Sequence, residues 1–375
     1  MITLFPHITT TLRNNTCLVL CLSLFCWLCA VPAAARTPMR IICVESGPLT
    51  EYNLVLQGIA HKLFYAKFLT ARPPHINGNV STRKLWHWLG EHAGGNLQFL
   101  QDGFYSAQWN DLARKKVKEA VQQRLETQHD VDAILVLGTR AGQDMAALHT
   151  DIPVIVMSCS DAVGAGIARS VVDSGKDNLV ALVNPWRYRR QIEFFHSLFN
   201  FRRLGVVYED TPTGRNVVGL KEIEATANAL GVELLHCHAV LHDNDAEKVA
   251  SNVELCHKQL VEQHVDAVYV TTSVAMTKEQ IQRTLTPLIS AEIPIFSQNS
   301  DNVKGGALLS FVDDSVDEGR NAARLLLAVR AGVLPRALSQ QFQSPRLLAI
   351  NLRTASHLGW DIPLAVLLSV DEFYE

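Results

Sequence analysis

Residues 129–136 have the sequence HDVDAILV, and residues 264–270 repeat the pattern as HVDAVYV. In each half of the chain a helical segment follows, and then an Ile-Pro strand, at 152–155 and at 293–296. Asp or Pro before a buried strand is ordinary chemistry for a loop that enters a strand. The same two features in the same order nevertheless favour a duplication. We therefore predict two similar lobes.

Short apolar runs alternate with amphipathic segments along the whole chain. This alternation is typical of a mostly parallel sheet covered by helices, so the predicted fold class is α/β with two Rossmann-like lobes. The predicted strands are residues 41–44, 133–137, 154–157, 180–183, 204–208, 234–236, 267–270, 293–296 and 307–311. The predicted helices include residues 111–126, 187–199, 214–230, 246–263 and 315–329.

The first 35 residues have the order of a secretory signal peptide. Arg13 precedes an apolar run from Cys17 to Val31, and three alanines follow at 33–35. The run is shorter than the roughly 20 residues that a spanning helix needs. We expect cleavage after Ala35 and a periplasmic mature chain, with an uncleaved N-terminal anchor as the alternative.

Charge and cysteine content narrow the class further. Without the signal the chain has 33 basic against 37 acidic side chains, a formal charge of −4. This balance gives no reason to expect binding to nucleic acid or to an anionic membrane. Cys43, Cys159, Cys237 and Cys256 remain, too few for a disulfide scaffold. One bridge, between Cys237 and Cys256, is left open.

The loops at the carboxyl ends of the strands are the expected binding loops, because open α/β sheets bind their ligands there. Thr139 and Arg140 follow the first repeated strand, and Thr272 and Ser273 follow the second. A helix N-terminus at each place would favour an anion, and Arg140 could pair with one directly. A plain helix cap is the alternative. A further wall of the cleft is expected from the residues after the first strand, Ser46, Gly47, Tyr52 and Asn53.

The two Ile-Pro strands both lead into a Ser-Asp pair. The pairs are Ser160-Asp161 and Ser300-Asp301, the second preceded by Asn299. A carboxylate at each edge of the cleft suits a cationic group, for example the ammonium of an amino acid. Asp is also common before turns because it caps them. We expect Ser160, Asp161, Asn299 and Asp301 to face a solute, and Asp161 to be essential for binding it.

Four motifs in order resemble the substrate-binding proteins of ABC transporters that have a type I periplasmic-binding fold. The motifs are DAVGAG at 161–166, GKDN at 175–178, NVKGGAL at 302–308 with EGR at 318–320, and NLRTA at 351–355. The resemblance extends from about residue 131 to the C-terminus. It implies two lobes joined by three crossovers, a cleft for a small solute often of amino-acid type, and delivery to a membrane permease.

We expect lobe 1 to comprise residues 36–160 and about 298–335, and lobe 2 to comprise about 161–297 and 336–375. Thr139-Arg140-Ala141 stands where the family has Thr-Pro-Ala, and Thr272-Ser273-Val274 stands where it has Asp-Asn-Thr-Val. The segment 70–108 is extra, and it and its flank carry aromatic residues at Trp86, Trp88, Phe104, Tyr105 and Trp109. We interpret it as helix-to-sheet packing, with an aromatic ligand wall as the alternative. Because of these differences, the resemblance predicts the fold of this chain but not the identity of its ligand.

Enzymatic alternatives have weaker support. Cys159 has no histidine in its loop to activate the thiol. Residues 164–166 lack the third glycine of a dinucleotide loop, and the histidines and cysteine at 236–242 lack a second cluster for a metal. The basic residues at the start of the helix after residue 186 are interpreted as its solvated face: Arg187, Arg189 and Arg190.

The sequence thus predicts a periplasmic solute-binding component of an ABC transporter, without enzymatic activity, cofactor or metal. Its ligand is expected to be amino-acid-like or a small organic anion, held by hinge closure of the lobes. A sensor kinase or chemoreceptor is the alternative partner, since partners are recognised by lobe surfaces and not by the cleft.

Overall fold

The computed structural model describes residues 37–74, 81–274 and 276–375. The predicted signal peptide at 1–35 lies outside the described residues. None of the helices within those ranges is long and apolar enough to cross a bilayer.

The first sheet has five parallel strands in the order β2-β1-β3-β4-β5. Its strands are β1 (Met39–Glu45), β2 (Leu97–Ser106), β3 (Ala133–Leu137), β4 (Val154–Met157) and β5 (Leu179–Ala181). Every residue of β3, β4 and β5 is buried, as expected for parallel strands covered by helices on both faces.

Four helices follow strands of this sheet in the chain: α1 (Thr50–Tyr65), α2 (Thr82–His92), α3 (Asp111–Thr127) and α4 (Thr139–Ala146). Trp86 of α2 is fully buried, and its ring packs edge-on against Phe99 of β2. The indole Nε1 donates a 2.8 Å hydrogen bond to the carbonyl of Leu100. This tryptophan therefore packs a helix against the sheet, as interpreted from the sequence.

In the described part of the chain the second sheet has seven strands in the order β12-β11-β10-β9-β8-β6-β7, of which only β10 and β11 pair antiparallel. Its strands are β6 (Arg203–Tyr208), β7 (Glu233–His238), β8 (Ala267–Val270), β9 (Ile295–Ser297), β10 (Leu309–Asp313), β11 (Arg346–Asn351) and β12 (Glu372–Tyr374). The remaining helices are α5 (Arg187–Phe199), α6 (Pro212–Val218), α7 (Leu220–Leu230), α8 (Ala246–Glu262), α9 (Lys278–Ser290), α10 (Ser300–Lys304), α11 (Ser315–Arg330), α12 (Leu352–His357) and α13 (Leu364–Leu367).

The crossings between the sheets differ from the predicted lobe boundaries at 160/161 and 297/298. β5 pairs with β4 in the first sheet, so the chain first crosses after residue 181. β10 pairs with β9 and β11 in the second sheet, so the return crossing follows Asp313, and α11 then packs on α1. The prediction was wrong because it placed each crossing directly after an Ile-Pro strand, whereas each sheet adds one more strand first.

The predicted helix at 214–230 is two helices, α6 and α7, because the chain turns at Gly219. This residue has a φ of +71°, and a Cβ there would lie 2.0 Å from the ring of Tyr188. Glycine is the residue that combines a left-handed backbone with such a close neighbour. The break therefore makes room for Tyr188, which lies in the site described below.

Cys237 of β7 and Cys256 of α8 are joined in a disulfide, the bridge that the sequence left open. The bond ties the strand at the edge of the second sheet to the helix that covers it. Cys43 and Cys159 are buried and form no disulfide with another described residue.

His257 gives the second lobe a pH-dependent stability. The ring is fully buried, Nδ1 lies 2.6 Å from the carbonyl oxygen of Thr284, and burial lowers the pKa of His257 to about 4. The unfolded chain takes up a proton near pH 6.5 and the folded chain does not, so this contribution is lost as the pH falls. Between about pH 7 and about pH 5, we expect the free energy of unfolding of the wild type to fall by about 2 kcal/mol relative to that of His257→Leu. Chemical denaturation of both proteins at the two pH values measures the difference. An equal change in the free energy of unfolding of the two proteins would contradict the prediction.

Candidate functional site

An inner cavity of about 90 Å³ lies between the two sheets, at the carboxyl ends of their strands. We call it the inner cavity. Its lining residues are Leu49, Glu51, Tyr52, Ser158, Ser160, Arg187, Tyr188, Gln191, Thr272, Gln298, Val312, Asp313, Ser315 and Glu318. Both lobes contribute polar side chains, so a bound molecule would contact both.

Three of the predicted site residues line the inner cavity: Tyr52, Ser160 and Thr272. The first two stand in the first lobe and the third in the second. The amide and hydroxyl of Thr272 each donate a 3.0 Å hydrogen bond to Oε1 of Gln298, which orders this side of the wall.

Three further predicted residues, Ser46, Gly47 and Thr139, lie behind the lining of the inner cavity and hold neighbouring parts of the chain in place. Ser46 Oγ donates to the carbonyl of Leu137 and accepts from the amide of Ala141, which ties β1 and β3 to the start of α4. Thr139 Oγ1 accepts the amide of Ser160 at 3.3 Å. A Cβ on Gly47 would lie 2.7 Å from the indole of Trp109, so glycine lets that ring pack there.

Asp161, Asn299 and Asp301 do not line the inner cavity, and local bonds engage their side chains. Asp161 accepts the amide of Gly164 at 2.7 Å, and Asn299 accepts the amide of Asp301 at 2.7 Å. Asp301 pairs with Lys304 at 3.0 Å. These bonds fit the alternative that each residue caps a turn or a helix. A role in binding the solute stays a prediction for all three.

Asn53 and Ser273 also lie outside the lining of the inner cavity. Asn53 Oδ1 is buried in α1 and has no hydrogen-bond partner among the residues that the structure describes, and Ser273 Oγ donates to the carbonyl of Val274. The expected helix start at Thr272 was wrong. α9 begins at Lys278, because Thr277 and Gln280 form a capping box there.

Arg187 lies in the inner cavity and not on a solvated face. Its Nε donates a 3.0 Å hydrogen bond to Oδ2 of Asp313, which also accepts from Asn184 at 2.7 Å. Asn184 belongs to the first crossing and Asp313 to the strand before the second. The two crossings are thus joined at the rim of the cavity, where a hinge would move. Of the other two arginines, Arg189 is exposed, as predicted.

Two acids of the first lobe, the buried Glu318 and the half-buried Glu51, were not predicted as site residues. Glu318 of α11 accepts the amide of Ser158 at 2.6 Å, and burial raises the pKa of its carboxyl. Glu51 stands in the first turn of α1, and burial raises its pKa to about 7. Buried carboxylates in a cleft are candidates for function because their charge is not screened by water.

Arg140, a predicted anion contact, joins the lobes instead. Its Nη2 donates a 3.0 Å hydrogen bond to Oε2 of Glu209, and about 10% of each side chain is exposed. Nδ1 of the buried His242 lies 3.4 Å from the other oxygen of Glu209. Burial raises the pKa of Glu209, but His242 and Arg140 outweigh it and lower the pKa to about 2. An outer cavity of about 570 Å³ borders this pair, with Trp109 against His242 in its wall.

The enzymatic alternatives gain no support from the geometry. Burial raises the pKa of Cys159 to about 12, so the thiol stays protonated at neutral pH and is a poor nucleophile. Cys237, in the histidine-rich segment, is occupied by its disulfide. In the described part of the chain, no three His, Cys, Asp or Glu side chains are grouped to hold a metal ion.

Two lobes with mostly parallel sheets, joined by crossings of the chain, and a polar cavity between them define a type I periplasmic-binding fold. A family model described as ABC transporter substrate binding protein matches residues 101–373. The chain belongs to this family, whose members are extracytoplasmic, bind small molecules and work with the permeases of ABC transporters.

Solved structures share this fold. A conserved domain protein from Vibrio cholerae is 21% identical with a TM-score of 0.67, and the match covers 90% of this chain and 100% of that one. An ABC domain from Streptococcus pneumoniae in complex with L-Trp is 19% identical, with the same TM-score and coverage. A solute-binding protein from Bacillus halodurans with bound myo-inositol is 13% identical with a TM-score of 0.53, over 86% of this chain and 98% of that one. No curated protein matches the chain.

Proposed function

We propose that the chain is the periplasmic solute-binding component of an ABC transporter, exported by residues 1–35. It holds a small solute, either amino-acid-like or a small organic anion, and passes it to a membrane permease. The observation that carries this proposal is the inner cavity, whose polar lining comes from both lobes. A solute that contacts both lobes favours the closed form, because only that form supplies all of its partners.

Tyr52 and Ser160 of the first lobe and Thr272 and Gln298 of the second are the proposed hydrogen-bonding wall. Arg187 supplies the positive charge for a carboxylate, and the acids of the cavity supply the negative charge for an ammonium. The ABC domain from Streptococcus pneumoniae, solved in complex with L-Trp, is consistent with an amino-acid ligand in this fold. The myo-inositol complex from Bacillus halodurans shows that the fold also holds uncharged solutes.

A thermal-shift screen of amino acids, small carboxylates and polyols tests the proposal. A ligand at 100 times its dissociation constant adds about 2.7 kcal/mol to the free energy of unfolding. Small-angle scattering with and without the ligand then measures closure. If no compound raises the melting temperature, the proposed function is wrong.

Thr272→Val should weaken binding of the identified ligand about tenfold, because it removes the hydroxyl that orders Gln298 beside the cavity. Thr286→Val is the matched control, since Thr286 is exposed on α9 and bonds only to its own helix. Titration calorimetry measures both. If the Thr272 variant and the wild type bind the ligand with equal affinity, Thr272 is not part of the proposed hydrogen-bonding wall.

A further inference from the structure

Glu51 is a cavity residue with one carboxylate oxygen for which the described part of the chain supplies no partner. It lines the inner cavity next to Tyr52. Its Oε2 atom is buried and makes no hydrogen bond to any described residue. A buried carboxylate oxygen without a partner is costly when it is ionised. The position therefore suits a donor that comes with the ligand.

The other acids of the inner cavity are already matched. Asp313 accepts from Arg187, and Glu318 accepts from the amide of Ser158. Among the described residues that line this cavity, Arg187 is the one basic side chain, against the three carboxylates of Glu51, Asp313 and Glu318. Because Arg187 is already paired with Asp313, ionisation of Glu51 leaves the cavity with an excess of negative charge, which attracts a cation and repels an anion.

We propose that Glu51 selects solutes that carry an ammonium or a similar cationic group, so that the chain binds amino acids or amines and rejects small anions that lack one. The inference rests on the proposed function and decides between the two solute classes left open there. A cation against Oε2 forms a charge-assisted hydrogen bond and pairs a buried charge.

The charges around Glu51 give the selection a pH dependence with a definite sign. Burial raises the pKa of Glu51 to about 7, the charge of Asp301 acts in the same direction, and the charge of Arg187 acts against it. The carboxylates of Asp313 and Glu318 share the cavity. A cation binds the ionised form of Glu51, so binding releases a proton, and affinity rises from about pH 6 to about pH 8. A protonated Glu51 that donated to an anion would give the opposite trend.

Matched trios of probes test the selection on the whole mature chain. Each trio consists of an amino acid, its decarboxylated amine and its deaminated acid: alanine, ethylamine and propionate; leucine, isoamylamine and isocaproate; phenylalanine, phenethylamine and hydrocinnamate. We expect members with an amino group to bind, and the corresponding acids to bind about 100-fold more weakly or not at all. Titration calorimetry in two buffers of different ionisation enthalpy should show proton release at neutral pH.

Glu51→Gln keeps the shape of the side chain and removes its charge. We expect it to lower the affinity for the amino-bearing probes about 100-fold and to abolish the proton release. Glu51→Asp keeps the charge and should lose less. Glu91→Gln, on the exposed face of α2, should match the wild type.

Two results would overturn the inference and leave the proposed function intact. One is binding of the acids as tight as that of their amines. The other is unchanged affinity and proton release in Glu51→Gln. If no member of any trio binds to the wild type, the proposal of an amino-acid-like ligand and the inference about Glu51 both fail. The proposed solute-binding function would then still be tested by solutes that lack these groups.

Discussion

Gly319→Ala is expected to lower the free energy of unfolding by about 3 kcal/mol or more. A Cβ at this position would lie 1.9 Å from the carbonyl oxygen of Val55 and 2.9 Å from the Cα of Gly58. A Cβ on Gly58 would in turn lie 2.0 Å from the carbonyl oxygen of Val316. α1 and α11 therefore cross with their backbones in contact, and a single methyl group forces them apart.

Both helices begin at the inner cavity, so this crossing also fixes the site. Glu51 and Tyr52 lie in the first turn of α1, and Ser315 and Glu318 lie in the first turn of α11. Separation of the helices would widen the cavity between these side chains. We expect weaker ligand binding to accompany the loss of stability in Gly319→Ala.

Chemical denaturation of the variant and wild type measures the stability effect. Gly94→Ala is the matched control, because a Cβ there meets only the Thr70 side chain at an ordinary 3.6 Å. A small effect for both variants would show that α1 and α11 can shift apart at low cost. The EGR motif at 318–320 would then owe its glycine to something other than this contact.

The fold was largely predictable because its central strands are buried on both faces. Such strands, for example Ala133–Leu137, are continuous apolar runs that stand out in the sequence. The three strands that were missed have weaker patterns. β2 and β12 lie at the edges of their sheets and have exposed residues, and β11 runs antiparallel to β10. Edge strands carry less apolar sequence because they are covered on fewer sides.

The site was predictable only where it follows the carboxyl end of a strand. This rule found Ser160 and Thr272, which line the inner cavity. It missed Arg187 and Glu318, which enter the cavity from helices that start at the crossings. An arginine at a helix start has the same local sequence whether it faces water or a partner such as Asp313. Whether such an arginine is exposed or paired depends on where the chain crosses between the sheets, and the prediction from sequence placed these crossings too early.

Glu51 shows the same limit from another direction. An acidic residue in the first turn of a helix is common, because it complements the helix dipole, so it draws no attention in a sequence. Its Oε2 atom is nevertheless buried without a hydrogen-bond partner among the described residues, which the local sequence does not reveal. The charge of the cavity is thus a property of the assembled lobes.

Arg140→Met is expected to weaken ligand binding about 100-fold, or about 3 kcal/mol, with little change in the stability of the unliganded protein. In the structure Arg140 of the first lobe pairs with Glu209 of the second, and both are largely buried. Without the guanidinium, closure would bury Glu209 with its Oε2 unpaired, and breaking a buried pair in this way is costly. In an open form water would solvate the carboxylate, so the cost falls on the closed state alone.

Arg114→Met is the matched control, because Arg114 pairs with Asp144 of its own lobe and is unaffected by closure. Calorimetry with the identified ligand measures affinity, and scattering measures the closed fraction. Glu209→Gln should also weaken binding, and the double variant should lose less than the sum of the two single losses, because both remove one interaction. If the losses add in full, Arg140 contacts the ligand directly, as the sequence first suggested, and the pair with Glu209 does not control closure.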